Sequence, residues 1–192
     1  MEWISIQFPE STQLNDDQLF DFCLTNKDLR IERDDNGQLI IMSPVGGLSS
    51  SHNLAIASLL WLWNSKSNSG IVFDSSGGFR LPNGAMRAPD AAWIHIDRWN
   101  DLSRVDQEKF PPLTPDFIIE VRSKSDSLRD LKNKMKEWID NGCQLAWLID
   151  PVEQIALVYY SNGAIETYES FQAILKAKTI VTGFEIDLSI LK

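Results

Sequence analysis

Two acidic residues, Asp90 and Glu120, lie thirty positions apart, each beside an apolar run in which a carboxylate is costly to bury. Asp90 comes directly before Ala91–Ile94, and Glu120 directly follows Phe117–Ile119. Two carboxylates brought together on neighbouring strands repel each other and raise at least one pKa, unless a cation lies between them. With the basic Arg122 two positions after Glu120, the pair predicts a Mg²⁺ site for phosphodiester chemistry.

A simpler interpretation of the two acids stays open. Pairs such as Pro89-Asp90 are common in turns, and an acid at the end of a strand is usually solvated or caps a neighbouring turn. Asp90 and Glu120 would then be ordinary ion-pair acids in an interaction or structural protein. Metal binding that depends on Asp90 separates the two interpretations.

Further motifs accompany the two acids in a fixed order. They are GQLIIMSP at 37–44, His52, RAPD at 87–90, PDFIIEVRS at 115–123, Lys134, Trp138, Gly142 and WLIDP at 147–151. From about Asp16 to Tyr160 the chain resembles the Uma-type restriction endonuclease family, common in cyanobacteria, within the PD-(D/E)XK nuclease superfamily. The resemblance implies an α/β fold, with a restriction-endonuclease-like mixed β-sheet core flanked by helices and with an N-terminal helix and hairpin.

The resemblance also implies the site residues of a DNA endonuclease. Asp90, Glu120 and the Val121 carbonyl would hold Mg²⁺, with Mn²⁺ as an alternative ion. The superfamily has Glu-x-Lys where this chain has Glu120-Val121-Arg122, and arginine is not a proton carrier at working pH. In many relatives of this type a lysine of the following helix looks like the replacement, and here that residue is Lys134. A snorkelling surface lysine is the alternative.

Basic residues cluster directly after Glu120, in a chain whose net charge is −9. Their position predicts contacts with DNA phosphates, although a charge run is usually a solvated helix face. The predicted DNA-binding residues are Arg122, Lys124, Arg129 and Lys132. By strand alternation Arg122 should share the face of Glu120, where it would clamp a phosphate or form a structural ion pair with Glu120 or Asp90.

Two further residues are candidates for the site. His52 faces inward on a predicted helix and is more often a hydrogen-bonded core residue in such a position, but the resemblance places a histidine of this helix near the active site. It therefore joins Asp90, Glu120, Lys134 and Arg122 as a predicted catalytic residue. Glu32, just before a predicted hairpin turn, is an additional candidate acid.

The hydrophobic pattern predicts the elements that would position these residues. Helices are predicted at 16–25, capped by Asn15, at 49–67 and at 128–141; strands at 29–34, 38–43, 71–74, 78–81, 87–96, 117–122, 145–149 and 155–160. The segment 97–115 is expected to be irregular, and 164–192 to form a short hairpin, a linker or short helix, and a last strand. A parallel crossover should join the strand of Glu120 to Leu145–Ile149.

Composition bounds the remaining possibilities. Residues 1–192 are expected to form a single nuclease-like domain with a substantial core. No apolar run is long enough for a membrane span, the first residues lack the features of a secretory signal, and the two cysteines lack zinc-site spacing. We therefore expect a cytoplasmic protein that does not contact a membrane. The resemblance implies DNA as the substrate, and because double-strand cleavage needs two active sites we expect a homodimer. A catalytically inactive nuclease-fold protein that binds DNA or a protein partner is the alternative.

Overall fold

The computed structural model describes residues 3–192; residues 1 and 2 of the predicted domain lie outside the described residues. The α-helices in this range are α1 Asp16–Thr25, α2 Gly47–Ser67, α3 Ile96–Asn100, α4 Arg104–Glu108 and α5 Leu128–Asp140. The strands are β1 Trp3–Ile6, β2 Arg30–Arg33, β3 Leu39–Met42, β4 Gly70–Phe73, β5 Phe79–Arg80, β6 Met86–Arg87, β7 Ala91–His95, β8 Phe117–Val121, β9 Leu145–Asp150, β10 Ile155–Tyr160, β11 Ile165–Tyr168, β12 Ile174–Lys176 and β13 Glu185–Asp187. Short 3-10 helices span Glu10–Thr12 and Leu188–Leu191.

Local sequence signals explain the N-terminal helix and hairpin. Asn15 caps α1 by accepting the Gln18 N–H, while the Gln18 side chain accepts the Asn15 N–H, which completes a capping box. Gly37 adopts a positive φ of 80° in the turn between β2 and β3, a conformation that glycine adopts without steric cost. Both elements agree with the sequence prediction.

The central sheet has six strands in the order β11-β10-β9-β8-β7-β4. β8 and β9 pair in parallel through the α5 crossover, as predicted, and the other neighbours in this sheet are antiparallel. Helix α2 packs against β4, β7 and β8, whereas α5 packs against β9 and β10. Alternate residues of β8 therefore enter different cores: Phe117 and Ile119 pack in the cluster of α2, and Ile118 in the cluster of α5.

A second sheet has five strands, in the order β1-β3-β2-β6-β5. β12 and β13 form a separate hairpin-like pair. Strand β2 pairs with β3 on one side and with β6 on the other, so residues of β2 come close to the chain that leads from β6 into β7. This arrangement brings the N-terminal hairpin to the end of the central sheet.

Two predictions about the elements were wrong, and one strand was missed. The predicted single strand 87–96 is interrupted at Ala88–Asp90, where the chain leaves the five-stranded sheet and enters the six-stranded one. The segment 97–115 contains the short helices α3 and α4, and β1 was not predicted.

Among residues 3–192, no helix is both long and apolar enough to cross a bilayer.

Candidate active site

Side chains from both sheets and from two helices line one cavity of about 740 Å³. β2 contributes Glu32, the link before β7 contributes Asp90, and β8 contributes Glu120. Helix α5 contributes Lys134, and α2 contributes Asn53. The cavity therefore lies where the N-terminal hairpin meets the end of the central sheet.

Asp90 is buried and held from two sides. One carboxylate oxygen accepts the Val121 N–H at 2.8 Å, and the other accepts the Asn53 side-chain amide at 2.7 Å. The guanidinium of Arg30 approaches to 3.7 Å. Burial nevertheless raises the pKa of Asp90, against the lowering effects of the Val121 N–H and of the charges of Arg30 and Lys134.

Glu120 occupies the fourth position of β8, and its side chain points to the face on which α5 packs. Its Oε1 lies 2.8 Å from Lys134 Nζ and accepts the Trp138 indole N–H at 3.2 Å. Burial raises the pKa of Glu120 to about 7, and the charges of Asp90 and Glu32 add to this effect while Lys134 opposes it. Glu120 and Asp90 are therefore close enough to disfavour each other's ionisation.

Lys134 lies between two carboxylates rather than at the surface. Its Nζ is 2.9 Å from Glu32 Oε1 and also donates to the Ala88 carbonyl at 3.2 Å. Burial would lower the pKa of Lys134, but Glu120 and Glu32 together hold it well above its ordinary value. Lys134 is thus a permanent cation at neutral pH, and the snorkelling alternative does not describe its position.

Glu32 anchors this cation from the opposite side. It accepts the Ala88 N–H at 3.0 Å and an Arg87 N–H at 3.2 Å. Burial raises its pKa, but the charges of Lys134 and Arg87 outweigh burial and bring the pKa to about 2. Arg87 is in turn bound to Glu137 at 2.7 Å, which extends the ion-pair network to the next turn of α5.

The structure does not bring Arg122 to the cavity. Its guanidinium lies 2.7 Å from Asp150, which is fully buried, and it donates to the Asp126 carbonyl at 3.0 Å. The alternation argument placed Arg122 on the face of Glu120, but β8 ends at Val121, so the alternation of strand residues no longer applies. Arg122 therefore forms an ion pair with Asp150 and not with Glu120 or Asp90, and its predicted contact with a phosphate stays a prediction.

His52 and the remaining basic residues also lie away from the cavity lining. His52 is buried on α2, where burial lowers its pKa, but Asn53 is the residue of this helix that reaches Asp90. Arg129 and Lys132 lie five and two residues before Lys134 on α5. Because each residue rotates by about 100°, their side chains lie on the opposite side of the helix from Lys134. Lys124 and Arg129 are exposed and Lys132 half-buried; their predicted contacts with DNA stay predictions.

Sequence reasoning missed three polar residues of the site. Asn53 was overlooked beside His52, although both lie on the same half of α2. Arg87 stands in the RAPD motif that pointed to Asp90, and Arg30 precedes Glu32 by one strand period. The alternation of Arg30 and Glu32 within a short β-strand was a signal that both face one site.

Comparisons with known proteins agree with this fold. Residues 16–189 match the model of the Uma2 family, described as "Putative restriction endonuclease". The chain is also similar to the crystal structure of "a putative nuclease belonging to DUF820" from Anabaena variabilis, with a TM-score of 0.71, 19% identity, and coverage of 84% of this chain and 88% of that chain. This similarity confirms the predicted restriction-endonuclease-like α/β fold, and no curated protein matches.

Proposed function

Because this chain belongs to the Uma2 family of restriction-endonuclease-like proteins, we propose that it is a Mg²⁺-dependent DNA endonuclease whose active site is the cavity at Asp90 and Glu120. The observation that carries the proposal is the contact between Glu120 and Lys134, at 2.8 Å, beside a second buried carboxylate. Acids and a cation in this arrangement are costly for folding. Such groups cluster where a protein does chemistry.

The residues present fit a bound divalent ion. Within residues 3–192, no group of three or more His, Cys, Asp and Glu side chains is arranged to hold a metal. Mg²⁺ needs fewer, because it retains several waters and is commonly bound through one or two carboxylates. Asp90 and Glu120 would hold the ion together with the Val121 carbonyl. Burial raises the pKa of both acids, and a bound cation would offset the cost of ionising them in this position.

The bound ion would supply an activated water and neutralise charge on the scissile phosphate. Lys134 remains protonated and therefore cannot act as the general base. Its ammonium instead stabilises the negative charge that develops on the phosphate and orients the attacking water. Glu32 keeps the ammonium in place, and Asn53 keeps the Asp90 carboxylate in place.

A catalytically inactive protein that binds DNA or a protein partner is the second candidate. The observation in its favour is that Arg122 occupies the position of the superfamily lysine and is bound to Asp150. Activity then depends on Lys134 as the replacement. Without that replacement, the cavity would retain a metal or a ligand but would not hydrolyse a phosphodiester.

Calorimetric titration of Mn²⁺ and Mg²⁺, followed by plasmid cleavage, tests the proposal. Wild type should bind the ion stoichiometrically and cleave DNA, whereas Asp90→Asn should lose both properties. Asp97→Asn, a change at a side chain that is 82% exposed, is the matched control and should behave as wild type. Binding without cleavage supports the inactive relative, and binding that is unchanged in Asp90→Asn contradicts the metal site.

We also propose that the protein acts as a two-fold symmetric dimer in the cytoplasm, because cutting both strands of a duplex requires two active sites. Sedimentation at micromolar concentration should give twice the mass of one chain, 21.8 kDa. A monomer at that concentration contradicts the dimer. That result would not contradict the metal site or the cleavage of a single strand.

A further inference from the structure

Helix α2 leaves part of its apolar surface uncovered. Leu54, Trp61 and Leu62 are 70%, 59% and 51% exposed, although their side chains are large and apolar. They lie on the side of the helix away from Ile56 and Leu60, which are buried in the core. Contiguous apolar patches on a protein surface mark sites of interaction. The exposed face of α2 therefore has the character of an interface.

The spacing of residues on this face is that of a helix that packs against another helix. Ser51, Leu54, Ser58, Trp61 and Ser65 follow one another at intervals of three, four, three and four residues, and all are exposed. Heptad spacing of this kind brings successive residues to one seam between two helices. Large and small side chains alternate along the seam, so Leu54 and Trp61 of one helix fit over the serines of another. The pattern indicates a helical partner with the same alternation.

The charge of the chain indicates that this partner is a second copy. The chain has a net charge of −9, but none of residues 47–65 is Asp, Glu, Lys or Arg. Two copies of an acidic protein repel each other, and they approach most readily where neither carries a charge. DNA is bound by lysine and arginine, and helices that lie on membranes carry basic residues beside their apolar face. Of these partners, a second copy of the chain matches both the charge and the spacing.

A groove beside α2 enlarges the surface that a second copy can cover. It has a volume of about 650 Å³ and lies between α2 and the end of β4, where Trp61, Leu62, Val72 and Phe73 line it. Helix α2 has 21 residues and is roughly 30 Å long and about 10–12 Å wide. With a groove of similar width, the face covers roughly 600 Å². Each partner in a specific interface buries about 600–1,000 Å², so this face is large enough for a dimer.

We propose that this face of α2 is the dimer interface, where α2 packs antiparallel against α2 of a second copy around a two-fold axis at Ser58. Ser58 lies midway along the seam, so symmetry places the two copies of Ser58 together and Leu54 opposite Leu62 of the partner subunit. Leu54 then enters the groove of the other copy. This inference rests on the proposed dimer and deepens it, because it names the surface through which the two chains meet.

This interface places both active sites on the same side of the dimer. The two-fold axis of an antiparallel helix pair is perpendicular to the plane of the two helices, so equivalent groups point to the same side of that plane. Asn53, which holds Asp90, lies five residues before Ser58. At a rise of about 1.5 Å per residue, the two copies of Asn53 are about 15 Å apart along the helices. A duplex bound on that side faces both sites, as double-strand cleavage requires.

Sedimentation of the full chain with a substitution at Trp61 tests the interface. Trp61→Lys removes a large aromatic side chain from both copies and puts two cations at the seam, so the dissociation constant of the dimer should rise at least about a hundredfold. Val105→Lys, at an apolar residue of α4 that is 62% exposed, adds the same charge away from α2 and should leave the dimer unchanged. Leu62→Ser replaces Trp61→Lys if that variant fails to fold. In the plasmid assay, the Trp61→Lys monomer should nick one strand but produce less linear DNA than wild type.

Cross-linking tests the position of the two-fold axis. Ser58→Cys, in a Cys23→Ser background, should give a covalent dimer with a short bis-maleimide, because the two thiols face each other. Ser65→Cys is the control, because this residue is also exposed, but its two thiols would be about 21 Å apart along the helices and should react little.

The outcomes separate the interface from the dimer and from the active site. A dimer that neither Trp61→Lys nor Leu62→Ser weakens, or equal cross-linking at Ser58→Cys and Ser65→Cys, overturns this interface but retains the dimer. A monomeric wild type overturns both. The binding of Mn²⁺ to wild type and Asp90→Asn is measured separately, so it reports on the proposed active site in either case.

Discussion

The metal-free protein should lose stability as the pH rises from 5 to 8, because of Glu120. The pKa of this residue is about 7 in the folded protein, against an ordinary value of 4.5. Between these values the folded state holds a proton that the unfolded state has released, so the free energy of unfolding falls as the pH rises. The difference corresponds to about 3 kcal/mol in total, of which about 2–3 kcal/mol is lost between pH 5 and 8.

Other titrating groups contribute to the same curve and must be separated from Glu120. The raised pKa of Asp90 acts in the same direction. The lowered pKa of Glu32 acts between pH 2 and 4.5, below the tested window. The lowered pKa of His52 acts in the opposite direction below pH 6.5, because the folded state disfavours its protonated form. The effects of Glu32 and His52 persist in Glu120→Gln, whose side-chain oxygen can still accept the Trp138 N–H. The pKa of Asp90 falls in this variant, because the neighbouring charge of Glu120 is removed.

The measurement is urea unfolding of wild type and Glu120→Gln in a chelator at several pH values from 5 to 8. The free-energy difference between them should shift by about 2–3 kcal/mol in favour of the variant as the pH rises. Saturating Mg²⁺ should restore wild type at pH 8 and have little effect on Glu120→Gln. Glu108→Gln, at a side chain that is 62% exposed, is the control. A difference that is independent of pH, or that moves in favour of wild type, refutes the reasoning.

Two further substitutions probe the ion pairs. Lys134→Met keeps the volume of the side chain but removes the cation, so turnover should fall by about 10²–10³. The affinity for Mn²⁺, measured by calorimetry, should be retained or increased. Cleavage at the wild-type rate would contradict the role of Lys134. Arg122→Ala leaves the buried Asp150 carboxylate without its main partner, so the free energy of unfolding in urea should fall by about 3–5 kcal/mol. A stable Arg122→Ala protein that has lost DNA affinity would instead restore the phosphate-clamp interpretation.

Elements with local signals were predictable from the sequence alone. Helix α1 has the predicted bounds Asp16–Thr25, because Asn15 and Gln18 form the cap within four residues of each other. Strand β10 likewise has its predicted bounds, Ile155–Tyr160. The segment 87–96 was not predictable in this way, because no residue in it shows which sheet each of its parts joins. Only the tertiary structure shows that its two parts pair with different partners, β6 with β2 and β5, and β7 with β4 and β8.

Local sequence signals likewise identified some residues of the candidate site, whereas the others can be identified only from the tertiary structure. Asp90 and Glu120 could be identified because a buried acid in an apolar run is conspicuous, and Lys134 because the family resemblance implies a lysine on the helix that follows Glu120. The roles of their neighbours depend on which side chain faces inward, and a rotation of 100° along α2 separates His52 from Asn53. Hydrophobic periodicity cannot show which of two adjacent polar residues faces the site. The Asn53–Asp90 hydrogen bond resolves it, and it also explains how a carboxylate with a raised pKa is held in position before any ion arrives.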